Sequence, residues 1–192
     1  SSSAVAVARA ALAHPGATPA ELLRAAREEH GRMGQQGGSG VDLAAACWLE
    51  GRCYSYTQAS RYAPWQGILR SDANIGAQDD DERAWQQLAQ RLDTLMPKKA
   101  PEILPFLAHL LGLNPQPHLS ERLIYLDAAQ LQKQVFAAVR DWVEVSAWQR
   151  PLVLFFEDMH WADEASLELI EYLLPTLPMT PLLLLAALRP ER

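Results

Sequence analysis

The sequence predicts an α/β fold built on a parallel sheet, and three observations carry that expectation. LVLFF (152–156) and LLLLAA (182–187) are unbroken apolar runs of strand length, the pattern of strands covered on both faces. Between them ASLELIEYLL has the length and spacing of a helix, and two buried strands joined by such a helix form a right-handed crossover in a parallel sheet. CWLEGRC (47–53) reads as a further short strand, weakened by Glu50 and Gly51.

From the N-terminus, Thr18-Pro19-Ala20-Glu21 sets a hydroxyl N-cap, a proline at the first helical position and a glutamate at the third, so a helix is expected from there to Met33. GQQGGSG (34–40) then breaks it as a flexible linker. Tyr54 to Pro64 forms an aromatic loop that leads into a helix near Trp65 to Leu69. Asp79, Asp80 and Asp81 precede ERAWQQLAQRLDTLM, where acids favour a helix start and Trp85, Leu88, Leu92 and Leu95 make an apolar stripe. The charge run reads as a solvated helix start rather than a metal site.

Pro97, Pro101 and Pro105 punctuate a turn and a second short helix, PEILPFLAHLLGL, closed at Asn114-Pro115. Residues 79–120 thus read as a helical insert. Asp127 can cap a long helix whose Leu131, Val135, Phe136, Val139, Trp142 and Val143 share a face, and Arg150-Pro151 ends it. Asp163 caps the crossover helix, and Pro175 and Pro178 turn the chain into the last strand.

The chain has 192 residues, 49% of them hydrophobic, enough for one sizeable core. A formal net charge of -6 speaks against a nucleic-acid face, which needs clustered Lys and Arg. No apolar run reaches the roughly 20 residues that span a bilayer, so no membrane partner is expected and the location expected is cytoplasmic. If 47–53 is a strand, Cys47 and Cys53 stand about 20 Å apart and cannot pair with each other. SSSAVAV at one end without Met, and LRPER directly after an apolar run at the other, read as the bounds of a fragment.

Ligands of open parallel sheets bind beyond the carboxyl ends of the strands. Glu157 and Asp158 follow LVLFF there, and Arg189 follows LLLLAAL, so two acids and a guanidinium face one crevice. A nucleotide with its magnesium calls for such charges: oxygen ligands for the ion, a group that positions water, and a cation near the transferring phosphate. A metal-dependent hydrolase built on Asp158, His160 and Asp163 is a weaker alternative, because no second His or Cys stands nearby at ligand spacing. His160 and Trp161 otherwise read as loop-packing residues, and Arg189 as a surface cation.

LVLFFEDMHWADEASLELIEYL followed by LLLLAALRPER resembles the Walker B and sensor-1 segments of STAND-type signal-transduction ATPases, a branch of the AAA-related group. The likeness is greatest to multidomain bacterial proteins that also carry an adenylate/guanylate cyclase domain and tetratricopeptide repeats. WLEGRCYSYTQASRYAPWQGILR and ERLIYLDAAQLQKQVFAAVRDWV resemble flanking segments of the same family, so the likeness covers 47–192 and leaves 1–46 as an atypical Ala- and Gly-rich stretch.

The resemblance implies an incomplete P-loop NTPase-like three-layer fold with a parallel sheet and helical insert, LVLFF lying between CWLEGRC and LLLLAA. It makes Glu157 the acid associated with magnesium through water, Asp158 the acid that orients the attacking water, and Arg189 a phosphate sensor. ATP and magnesium are the implied cofactors, and other domains of the same polypeptide or protein partners the implied contacts.

The family also expects GxxxxGK[ST] upstream of WLEGRC, with the lysine on the β/γ-phosphates. The only lysines are Lys98, Lys99 and Lys133, so the chain lacks that motif. GQQGGSGVD offers Gly40 and Val41 where Lys and Ser or Thr belong. Two functions are therefore expected: a piece of a regulatory ATPase that binds nucleotide poorly alone, or a pseudo-ATPase that serves as an interaction scaffold. In either case LLLLAA would present an apolar edge.

Overall fold

A computed structural model describes residues 47–55, 61–114, 123 and 125–188. The expected helix at 18–33, the linker at 34–40 and Arg189 lie outside the described residues.

Among the described residues three parallel strands form the sheet, in the order β1 (Cys47–Arg52), β2 (Leu152–Glu157), β3 (Leu182–Ala186). LVLFF is therefore the middle strand, as the resemblance implied. Every residue from Leu152 to Phe156 is buried. Leu152, Leu154 and Phe156 join the continuous hydrophobic core, whereas Val153 and Phe155 lie outside that cluster, with Phe155 6.1 Å from the Trp48 ring. β3 is less covered than its sequence predicts: only Leu182 is buried, and Leu183 to Leu185 are half-buried. Among the described residues β3 is an edge strand, so one side of it has no described neighbour.

The helices follow the apolar spacing. α1 (Ala63–Asp72) buries Trp65, Ile68 and Leu69. It crosses β1 at Gly51, where an added Cβ would stand 2.5 Å from the Pro64 carbonyl oxygen and 2.9 Å from Ile68 Cδ1. The glycine that weakens the strand pattern is thus what admits the helix. α2 (Asp81–Leu95) buries the whole expected stripe of Trp85, Leu88, Leu92 and Leu95.

α3 (Ala100–Leu110) ends earlier than the expected Asn114-Pro115 stop. Gly112 takes a left-handed φ of 72°, its N–H donating to His109 O at 3.0 Å and that of Leu113 to Ala108 O at 3.0 Å. This is the paired terminal bonding that glycine permits just after a helix. α4 (Ala128–Gln149) begins with a reciprocal cap: Asp127 accepts from Gln130 N at 2.8 Å and Gln130 accepts from Asp127 N at 3.1 Å.

The Asp79–Asp81 run has structural partners throughout. Asp79 accepts from Gly76 N at 2.7 Å and pairs with Arg83 at 3.1 Å, Asp80 caps α2 through Arg83 N at 2.9 Å, and Asp81 accepts from Asn114. One carboxylate joins three helices: Asp72 on α1 accepts two bonds from Arg91 on α2, at 3.0 and 2.9 Å, and one from Trp142 on α4 at 2.8 Å. No described helix is long and apolar enough to cross a membrane. Cys47 and Cys53 are both free.

Candidate functional site

The parallel register sets the carboxyl ends of β1 and β2 side by side. Arg52 pairs with Glu157 in the ladder, so the last residue of one strand lies beside the last residue of the other. Three backbone bonds extend the stitching past the strands: Cys53 N to Glu157 O at 3.0 Å, Ala187 N to Phe156 O at 2.8 Å, and Met159 N to Ala187 O at 3.0 Å. The chain leaves β2 through Asp158 in left-handed conformation, φ 56° and ψ 40°, which aspartate tolerates better than most residues. A single 3-10 turn, Met159–Trp161, follows, and α5 (Glu164–Leu173) starts immediately after Asp163.

Glu157 and Asp158 thus stand where the sequence places them, at the carboxyl end of the central strand. They share a partner that sequence reading missed. Arg52 Nε lies 3.3 Å from Glu157 Oε2 and Arg52 Nη2 lies 3.3 Å from Asp158 Oδ2. Glu157 above all, with Asp158 behind it, raises the pKa of the guanidinium. Its Cζ also sits 5.5 Å from the centre of the Tyr54 ring. Glu50 precedes Arg52 by two residues and so shares its strand face; burial first, then the charge of Glu157, pushes its carboxyl up, with Arg52 pulling the other way. The signal that would have found Arg52 is its place at the end of a strand expected to lie beside LVLFF in parallel.

Asp163 is a framework residue. It is 7% exposed, and its Oδ1 accepts from Tyr62 N at 3.1 Å and Ser166 N at 3.0 Å, while Oδ2 accepts from Ser166 Oγ at 2.6 Å. One side chain therefore caps α5 and fixes the residue ahead of α1. Trp65 adds a bond from Nε1 to Ser166 O at 3.3 Å and stacks edgewise on Phe156 at 5.0 Å. The alternative metal site on Asp158, His160 and Asp163 is corrected by this arrangement, since both Asp163 oxygens are already engaged within the protein. Among the described residues no group of three or more His, Cys, Asp or Glu could hold a metal ion.

His160 stacks on Trp161 at 5.0 Å, and its Nδ1 is buried without a hydrogen-bond partner. Cys53, buried beside the site, has its thiol pushed up to about 11, by burial first and then by Asp163 and Asp158.

A parallel sheet with helical crossovers and paired acids at the carboxyl end of its middle strand defines a P-loop NTPase-like α/β domain, incomplete among the described residues. More narrowly, the chain belongs to the AAA ATPase domain family, whose family model matches residues 21–185. That match begins inside the 1–46 stretch set apart above by composition, and its part before residue 47 lies outside the described residues. No curated protein and no solved structure matches the chain at a significant level.

The family works with ATP and magnesium, and the residues present can be tested against that ion. Magnesium takes one or two carboxylates at about 2.0–2.1 Å together with waters and phosphate oxygens. Here a guanidinium stands against both carboxylates. Glu157 and Asp158 offer such a carboxylate pair, and in this arrangement both are paired with Arg52.

Proposed function

We propose that this chain is the acidic-strand portion of an ATP-dependent signalling module of the STAND type, and that alone it binds and hydrolyses ATP poorly. The observation that carries the reading is the Glu157–Asp158 pair at the end of β2 in a chain with no GxxxxGK[ST]. Asp158 is assigned to the attacking water and Glu157 to the magnesium shell. Arg189, just past β3, is assigned to the phosphates. The signalling role, and the company of cyclase and tetratricopeptide-repeat domains, rest on the likeness of LVLFFEDMHWAD and the segments around it.

Without the lysine, the β/γ-phosphates lose their main cationic contact. Titration of the whole chain with a fluorescent ATP analogue and magnesium is expected to show no saturation at micromolar concentrations. Micromolar binding that disappears in Glu157→Ala and Asp158→Ala would overturn the reading.

The pseudo-ATPase scaffold is the second reading, and the pairing of both acids with Arg52 favours it. A sharp thermal transition that ATP and magnesium leave unmoved, together with capture of one specific partner, would support it over the first.

A further inference from the structure

We propose that Arg52 is an internal cation that occupies the place between Glu157 and Asp158 and competes with a divalent metal ion for that pair. The inference rests on the reading of these two acids as the cation-handling pair. It adds a resting state in which the protein supplies the positive charge itself.

Consecutive residues of an extended strand point to opposite faces. Glu157 closes β2 and Asp158 is the next residue, yet one planar guanidinium contacts both. The left-handed backbone at Asp158 makes this possible, because it turns that carboxylate out of strand alternation and towards Arg52. Nε serves one acid and Nη2 the other, so the fork spans the pair. Tyr54 lies against the guanidinium on the same short segment.

The clamp is also built to open. Both contacts are 3.3 Å, longer than the 2.7–2.9 Å of a tight charge-assisted bond. The Arg52 side chain is 47% exposed, against 35% for Glu157 and 14% for Asp158, so water can take over its hydrogen bonds as it swings away. A divalent ion bound to the same two carboxylates would stand at close range to the guanidinium, positive charge against positive charge. Metal binding and the Arg52 contacts therefore compete.

Manganese alone, without nucleotide, tests the competition. Free Mn2+ is followed by electron paramagnetic resonance against the full chain, Arg52→Gln, and Arg52→Gln combined with Glu157→Gln and Asp158→Asn, each checked by a thermal melt. Exposed ion pairs are individually weak, so Arg52→Gln is expected to bind Mn2+ about three- to tenfold tighter than the parent. The gain should vanish in the triple variant.

Equal or weaker binding by Arg52→Gln, a gain that survives in the triple variant, or no binding in any of them overturns the proposal. Should Arg52→Gln not fold, Arg52→Lys provides the same comparison, since it keeps the charge but loses the fork, and a gain between zero and that ceiling is expected. Micromolar binding of the ATP analogue, lost in Glu157→Ala and Asp158→Ala, would sink the proposed function and leave this competition standing.

Discussion

Asp163 shows how much a single side chain can organise. It caps α5 and accepts the backbone N–H of Tyr62, a buried residue itself held at a left-handed φ of 63°. Asp163→Ala removes a helix cap and leaves a buried N–H without its acceptor, so a loss of about 2–3 kcal/mol is expected in urea unfolding. Asp163→Asn retains one acceptor oxygen and is expected to lose less. The capping role was legible, because Asp before an apolar helical run is a local signal. The bond to Tyr62 was not, since it joins residues 101 positions apart. Arg52 eluded reading for the same reason: its partner Asp158 lies 106 positions away, and only the sheet brings them together.

The elements that could be read were those whose pattern is written in consecutive residues. The stripe of α2, the cap of α4 and the run of β2 all needed only local spacing. The end of α3 was misplaced because Gly112, two residues before Asn114-Pro115, takes the left-handed turn first. β1 was underrated because Gly51 looks like an interruption until α1 is laid across it. Gly51→Ala is expected to destabilise by about 1–3 kcal/mol, since the methyl meets the Pro64 carbonyl and a packed Ile68. Gly67 lies within α1 and has nothing within 4 Å of an added Cβ, so Gly67→Ala is expected to raise the melting temperature instead. Thermal melts of the two variants side by side check both signs.

At the scale of the molecule, stability at alkaline pH should report on the packing beneath the site. Cys53 is buried with its thiol raised to about 11, and burial also raises Tyr62. Groups raised on folding contribute stability that is complete below their unfolded values, near 8.5 for a thiol, and that is lost as pH rises through the folded ones. The melting temperature is therefore expected to fall between about pH 9 and pH 11. Cys53→Ala should flatten part of that fall, and an unchanged slope would show that the thiol titrates alike in the folded and unfolded chain. The joining of α1, α2 and α4 through Asp72, Arg91 and Trp142 was likewise invisible in the sequence, although each of the three helices was foreseen. Composition limits the size of a core; it does not say which carboxylate will sit among the helices.

The register of β1 on β2 has a meaning for folding as well as for chemistry. Sliding β1 by one residue would put Gly51 or Cys53 beside Glu157 and turn every side chain of the strand to the wrong face. Sliding it by two in one direction would set Glu50 against Glu157, acid facing acid. Only the native alignment gives the two acids their arginine, so the same three charges are expected to disfavour slipped registers of β1 on β2.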